Sequence, residues 1–216
     1  MLNHAARIGL RTCCILPVLM ASTAFGASIL FSTDGTATPG YTPGLFWMAS
    51  SSIGGPVVSV EMQFTSGITG TATTIVAPLS ASLADVTFAL RSDAAGMAGI
   101  VIDLFTFHGV TGTPQLLTAS STNHAQLTGG TPYWLEALAP TPAIQTQSVN
   151  WYIAVPSVNG KVEVENPVPA VLTNQSISAF AVNGTVPEPA TLFATGLALV
   201  LLSVLYRRGL TRSRRR

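Results

Sequence analysis

The chain has 216 residues, of which 48% are hydrophobic and only 9% charged, with a formal net charge of +1. Eight of its ten basic residues lie before residue 27 or after residue 186, so that only Arg91 and Lys161 stand between them against Asp34, Glu61, Asp85, Asp93, Asp103, Glu136, Glu163 and Glu165, a net charge of −6. Such a middle cannot neutralise a row of phosphates, which excludes nucleic acid as a partner. Its length of about 160 residues suits one domain with one core.

Residues 1–26 read as a secretory signal peptide, expected to form a signal helix. Arg7 and Arg11 supply the charged region, residues 13–20 the apolar region, and Ala24-Phe25-Gly26 a small-x-small cleavage site, so cleavage is expected before Ala27. Cys13 and Cys14 leave with this peptide. The mature chain then has no thiol, hence no disulfide and no cysteine-based metal site, although its destination is oxidising.

From residue 27 to residue 184 apolar and polar residues alternate with a period of two, and no long stretch carries helical periodicity. Strands are predicted around 29–31, 45–49, 58–64, 86–90, 100–107, 133–138, 149–155, 161–165 and 177–182, with a helical turn compatible with 77–83. The 100–107 run is apolar on both faces apart from Asp103 and Thr106, which predicts a central strand. Clusters of Gly, Pro, Asn and Thr separate the strands. The predicted fold is all-β, an antiparallel two-sheet β-sandwich of jelly-roll or Ig-like topology. In that register Val60, Met62, Phe88, Leu104 and Val164 face the core, while Glu61, Gln63, Glu163 and Glu165 face solvent.

The middle offers little catalytic chemistry. It has no Gly-x-Ser-x-Gly elbow, no His-Glu-x-x-His, no phosphate loop and no dinucleotide fingerprint. His108 and His124 with Asp103 and a serine could be assembled into a hydrolase site, and Asp85, Asp93, Asp103, Glu136, Glu163 and Glu165 supply carboxylates for glycoside hydrolysis, but nothing in their spacing selects either arrangement. The reading is therefore non-enzymatic, with a secreted hydrolase as an alternative. Asp93 lies in an oxygen-rich loop, yet one carboxylate is too few for calcium and no Asp-x-Asp-x-Asp pattern is present. Asp93 is read as the cap of a turn. The carboxylates look dispersed, and neither a metal nor a cofactor is expected.

Five aromatic residues are candidates for glycan contact: Trp47, Tyr133, Trp134, Trp151 and Tyr152. An exposed indole can stack on a sugar ring, whereas packing in the core is the default for a tryptophan within an apolar strand. In the adjacent pairs 133–134 and 151–152 the two rings must point to opposite faces of their sheet, so one of each pair is outward or under a loop. A carbohydrate-binding module is the other alternative function.

Residues 185–216 read as a tail. Val186-Pro187-Glu188-Pro189 comes first, an apolar run over 190–206 second, and Arg207, Arg208, Arg212, Arg214, Arg215 and Arg216 last. The prolines hold Glu188 in extended geometry, and Pro189 suits the first turn of a helix. Seventeen residues at about 1.5 Å each span roughly 26 Å, enough for one transmembrane helix with local thinning. The arginines hold its end on the cytoplasmic side.

This order of elements resembles the PEP-CTERM sorting signal of Gram-negative bacteria. The resemblance implies that the tail is a substrate of exosortase, a membrane-embedded cysteine transpeptidase or protease that cuts near the motif, in a bacterium that makes exopolysaccharide. The middle is similar to the choice-anchor ectodomains of the R type, through Leu45-Phe46-Trp47-Met48-Ala49, Ser92-Asp93 with Gly96 and Gly99, Tyr133-Trp134-Leu135 and Val149-Asn150-Trp151-Tyr152. That family has no established activity and implies a secreted β-domain over about 28–183. The expected partners are the Sec translocon, signal peptidase, exosortase and exopolysaccharide. The chain is expected to pass through the inner membrane to the cell surface or extracellular matrix, where its role is structural or adhesive.

Overall fold

A computed structural model describes residues 25–52, 55, 57–138, 147–166, 168–187, 196 and 200. Most of the expected signal helix and transmembrane helix, together with Glu188, Pro189 and the arginine cluster at 207–216, lies outside the described residues; Phe25 and Gly26 of the former are in a strand, not a helix, and Gly196 and Val200 of the latter are helical. Among the described residues no helix is long and apolar enough to cross a membrane.

Thirteen strands are described: β1 (Phe25–Ser32), β2 (Tyr41–Ser51), β3 (Val57–Thr65), β4 (Gly70–Ala81), β5 (Asp85–Ala94), β6 (Met97–His108), β7 (Gln115–Ser120), β8 (Gln126–Leu127), β9 (Pro132–Ala137), β10 (Gln147–Ala154), β11 (Asn159–Asn166), β12 (Val168–Ser176) and β13 (Ala181–Pro187). Every pairing is antiparallel. They form one curled sheet in the order β1-β13-β4-β10-β2-β3-β9-β5-β6, with β7 and β8 on β4, and β11 joining β3 to β12. The two halves meet at a corner where Ser50 and Ser51 of β2 pair with Val58 and Val57 of β3. They pack face to face, as a β-sandwich does.

The core between the halves is aromatic. Trp151 of β10 lies 4.7 Å from Phe88 of β5, ring centre to ring centre, and 5.4 Å from Phe180. Phe107, Phe64 and Phe31 extend the cluster. Val60, Met62 and Phe88 are buried here as their alternation requires, and Val164 is half-buried against the core.

Three expectations are corrected. The 77–83 segment is not a helical turn: 77–81 continues β4, whose β-branched Thr71, Thr73, Thr74, Ile75 and Val76 favour the extended chain. Pro78 falls between the residues that pair with β13 and those that pair with β10, a gap where a strand tolerates a missing N–H. Secondly, β6 is not central. It ends the strand order, and Ile100 and Val101 are exposed. Thirdly, the core face of β6 carries Phe105 and Phe107, which leaves Leu104 half-buried on the other face. Pairing fixes this phase, because Phe105 stands opposite core-facing Phe88 and Leu104 opposite Ala89.

β13 runs on through Thr185, Val186 and Pro187, paired with Ala27, Gly26 and Phe25 of β1. In the uncleaved chain the sandwich thus takes in the first two residues of the motif at 186–189, through Phe25 and Gly26, which cleavage before Ala27 would remove.

Candidate functional site

The register of the β11-β3-β9 half places three carboxylates in one row. Glu163 of β11 is opposite Glu61 of β3, and Glu61 is opposite Glu136 of β9. Their face is the one turned away from the aromatic core, where solvent exposure is expected. Instead Glu61 is 3% exposed, Glu136 1% and Glu163 4%. This corrects the expectation that Glu61 and Glu163 face water, whereas Glu165 is exposed and Gln63 partly so.

The β5-β6 hairpin provides the cover. Its register breaks between Leu90 and Arg91 and again between Arg91 and Asp93, so the tip departs from the flat ladder. The tip bonds to the carboxylate row. Ala98 donates its N–H to Glu163 Oε2 at 2.8 Å, and Arg91, whose Nε donates to Glu136 Oε2 at 2.6 Å, also donates from Nη1 to the Gly99 carbonyl at 2.9 Å. Asp93 does cap the tight turn, accepting the Gly96 N–H at 3.0 Å, and Ala95 and Gly96 both have the positive φ such a turn requires. Its other oxygen accepts from Trp134 Nε1 and Gln63 Nε2, both at 2.8 Å. Burial alone would raise the Asp93 pKa; these donors outweigh it and hold the carboxyl below its usual range.

Glu61 has the opposite electrostatics. Burial, with the charges of Glu136 and Glu163 beside it, pushes its pKa up from 4.5 to about 8, against the pull of Arg91. Its Oε2 is buried with no hydrogen-bond partner among the described residues. One carboxylate oxygen from each of Glu61, Glu136 and Glu165 lies within 4.8 Å of the others. The carboxylates that look dispersed in the sequence converge across three strands.

The aromatic candidates separate by burial. Trp151 lies in the core, and Trp134 is 0% exposed beneath the hairpin tip. Tyr133 packs on Phe64 and accepts the Thr128 N–H at its hydroxyl, while Tyr152 is closed in with its hydroxyl 2.8 Å from Ser80 Oγ. These four rings are inaccessible to a sugar in this conformation. Trp47 is the one of the five that reaches the surface, its indole fixed by Nε1 donating to the Ser176 carbonyl at 2.8 Å. It opens on a groove of about 550 Å³ lined by Leu45, Phe46, Trp47, Val155, Gln175 and Ser176 among others. Leu45 is 59% and Phe46 43% exposed, and Phe46 packs edge-on against Tyr152.

No protein-family model and no curated protein matches this chain. Among solved structures, the CsCBM6-3 module from Clostridium stercorarium in complex with cellobiose aligns with 60% of this chain and 92% of its own at 13% identity, with a TM-score of 0.30.

Of the hydrolase candidates, Glu136, Glu163 and Glu165 meet in the carboxylate row, whereas the histidines and Asp103 stay apart. His108 Nδ1 contacts Asp85 Oδ1 at 2.9 Å, with both side chains largely in solvent. Asp103 is fully buried and accepts from Ser121 Oγ at 2.6 Å and from the N–H groups of Leu104, Thr122, Asn123 and Ala125. Burial would raise its pKa, but these donors hold it low. Asp103 therefore fixes the turn that carries His124, which is exposed with φ 53° and joins the network through its backbone N–H on Ser121 Oγ. Among the described residues no imidazole is bonded to Asp103. The sequence did not flag Glu61 as a site residue; an acidic residue in mid-strand, with Arg91 the only arginine between residues 27 and 186, is the signal that could have found it.

Proposed function

We propose that this chain is an exported, non-catalytic surface or matrix protein that adheres to extracellular polysaccharide through the groove beside β2. The observation that carries the reading is the Trp47 groove. Leu45, Phe46 and Trp47 offer apolar surface, beside Thr42, Ser157, Gln175 and Ser176 as hydrogen-bonding groups. A sugar ring has the same two sides, an apolar face of C–H bonds and a rim of hydroxyls, so it matches a concave site with few polar groups. The fixed Trp47 indole gives up little conformational freedom on binding.

Delivery follows the ends of the chain: Sec export and signal peptidase cleavage, a passage through the inner membrane, then exosortase processing near the motif at 186–189. The absence of catalysis is supported by the saturation of Asp103 with N–H donors and by the separation of His108, at the exposed end of β6, from His124, in an exposed loop. Co-sedimentation with the exopolysaccharide of the producing bacterium tests the reading. The protein should pellet with the polymer and be released by oligosaccharides derived from it. Protein that stays in the supernatant at all polymer concentrations would overturn it.

A further inference from the structure

The carboxylate row under the β5-β6 hairpin has a geometry that the glycan groove does not use. We propose that Glu61, Glu136 and Glu165 form a binding site for one calcium ion, with Glu61 Oε2 as its innermost ligand.

Two independent observations point there. The first is spacing: one oxygen from each of the three carboxylates lies within 4.8 Å of the other two. At about 2.4 Å from an ion, two opposed ligands stand about 4.8 Å apart and three evenly spaced ones about 4.2 Å, so small side-chain adjustments bring all three oxygens onto one ion without moving the strands. The second is the orphaned oxygen. Glu61 is 3% exposed and its Oε2 has no donor among the described residues. A buried carboxylate oxygen without a partner is costly, and a cation supplies what no N–H in its surroundings does.

The donor set selects the metal. Among the described residues all the ligands are carboxylate oxygens, with no imidazole or thiolate, which favours a hard cation over zinc or copper. Calcium accepts irregular oxygen shells completed by water, whereas magnesium demands a tight octahedron. Glu165 is exposed and gives the ion and its waters a way in. Arg91 on Glu136 Oε2 opposes the ion, so the affinity belongs with extracellular calcium modules, at a Kd of about 10⁻⁴–10⁻³ M. The bound ion ties β11, β3 and β9 together. Glu163, the in-register neighbour of Glu61, extends that tie to the hairpin through Ala98.

Titration calorimetry and thermal unfolding of the purified full-length chain, stripped with EDTA and then given CaCl₂, test the site. The expected result is one ion per chain and a Tm that rises with calcium and falls back with chelator. Glu61→Gln and Glu165→Gln should each weaken binding at least about tenfold, as expected for the loss of a charged ligand. Asp85→Asn, at the exposed His108 pair, should bind like the parent. Glu61→Gln is nearly isosteric and cannot ionise, so in EDTA it should unfold cooperatively at a Tm no lower than the parent's, which separates lost binding from lost folding. No heat and no Tm change up to about 10 mM calcium, binding unchanged in both glutamine variants, or an equal response to MgCl₂ would overturn the assignment.

Discussion

The buried Glu61 makes the stability of the ion-free domain fall as pH rises, opposite in sign to the effect of a salt-bridged carboxylate. Its pKa is 4.5 when unperturbed and about 8 in the fold. Between those values the unfolded chain has released the proton and the folded chain retains it, so raising the pH favours unfolding. Glu61 stabilises fully below about pH 4.5, and that contribution is gone above about pH 8. Each pH unit in this window is worth up to about 1.4 kcal/mol, giving a ceiling near 5 kcal/mol. Arg91 and the solvent reaching Glu165 soften the local field, so a loss of about 2–4 kcal/mol is expected between pH 5 and pH 8.5. Urea unfolding in EDTA, of the parent and of Glu61→Gln, measures it. The variant should lack this loss and be the more stable of the two at pH 8.5. Parallel pH profiles, or a less stable variant at pH 8.5, would refute the assignment of buried like-charge repulsion to this row.

Phe88→Ala, which opens a cavity beside Trp151, should cost about 3–5 kcal/mol, and Leu104→Ala less than half of that, both by denaturant unfolding. Asp103→Asn should destabilise the domain at pH 7 by about 1–3 kcal/mol. It should also flatten the acid limb, because a carboxylate held below its usual 3.8 stabilises above that pH and loses the effect as pH falls; unfolding between pH 2 and pH 6 checks both. Glu188→Ala should leave export intact but retain the uncut tail in the inner membrane, read by fractionation and mass; equal amounts of tail-free protein in variant and parent would remove exosortase from the proposal.

Local alternation was enough to find strands such as β3, β5 and β11, because a half-buried strand must alternate. It was insufficient for β4 and β12. Thr, Ala, Ser and Pro blur the pattern in β4, and in β12 Val168, Ala170 and Leu172 are all exposed, so no buried set marks it. Phase along β6 depended on which partner residue Phe105 meets, a non-local fact. The carboxylate row was illegible for the same reason. Glu61, Glu136 and Glu163 are far apart in sequence and become neighbours only through two strand registers, and their burial needs a hairpin that leaves its ladder at Arg91. The paired rings at 133–134 and 151–152 do point to opposite faces, but both faces are covered, one by the other half of the sandwich and the other by the hairpin tip or by Phe46 and Tyr41.

The adhesive reading centres on Trp47, and the chain contains only three tryptophans, so three indole N–H resonances report on the whole question. Nitrogen-15 NMR of the protein titrated with oligosaccharides cut from the producer's exopolysaccharide should shift the Trp47 Nε1–H signal saturably and leave those of Trp134 and Trp151 in place. Three unmoved signals, or movement confined to Trp134 and Trp151, would contradict glycan binding at the β2 groove.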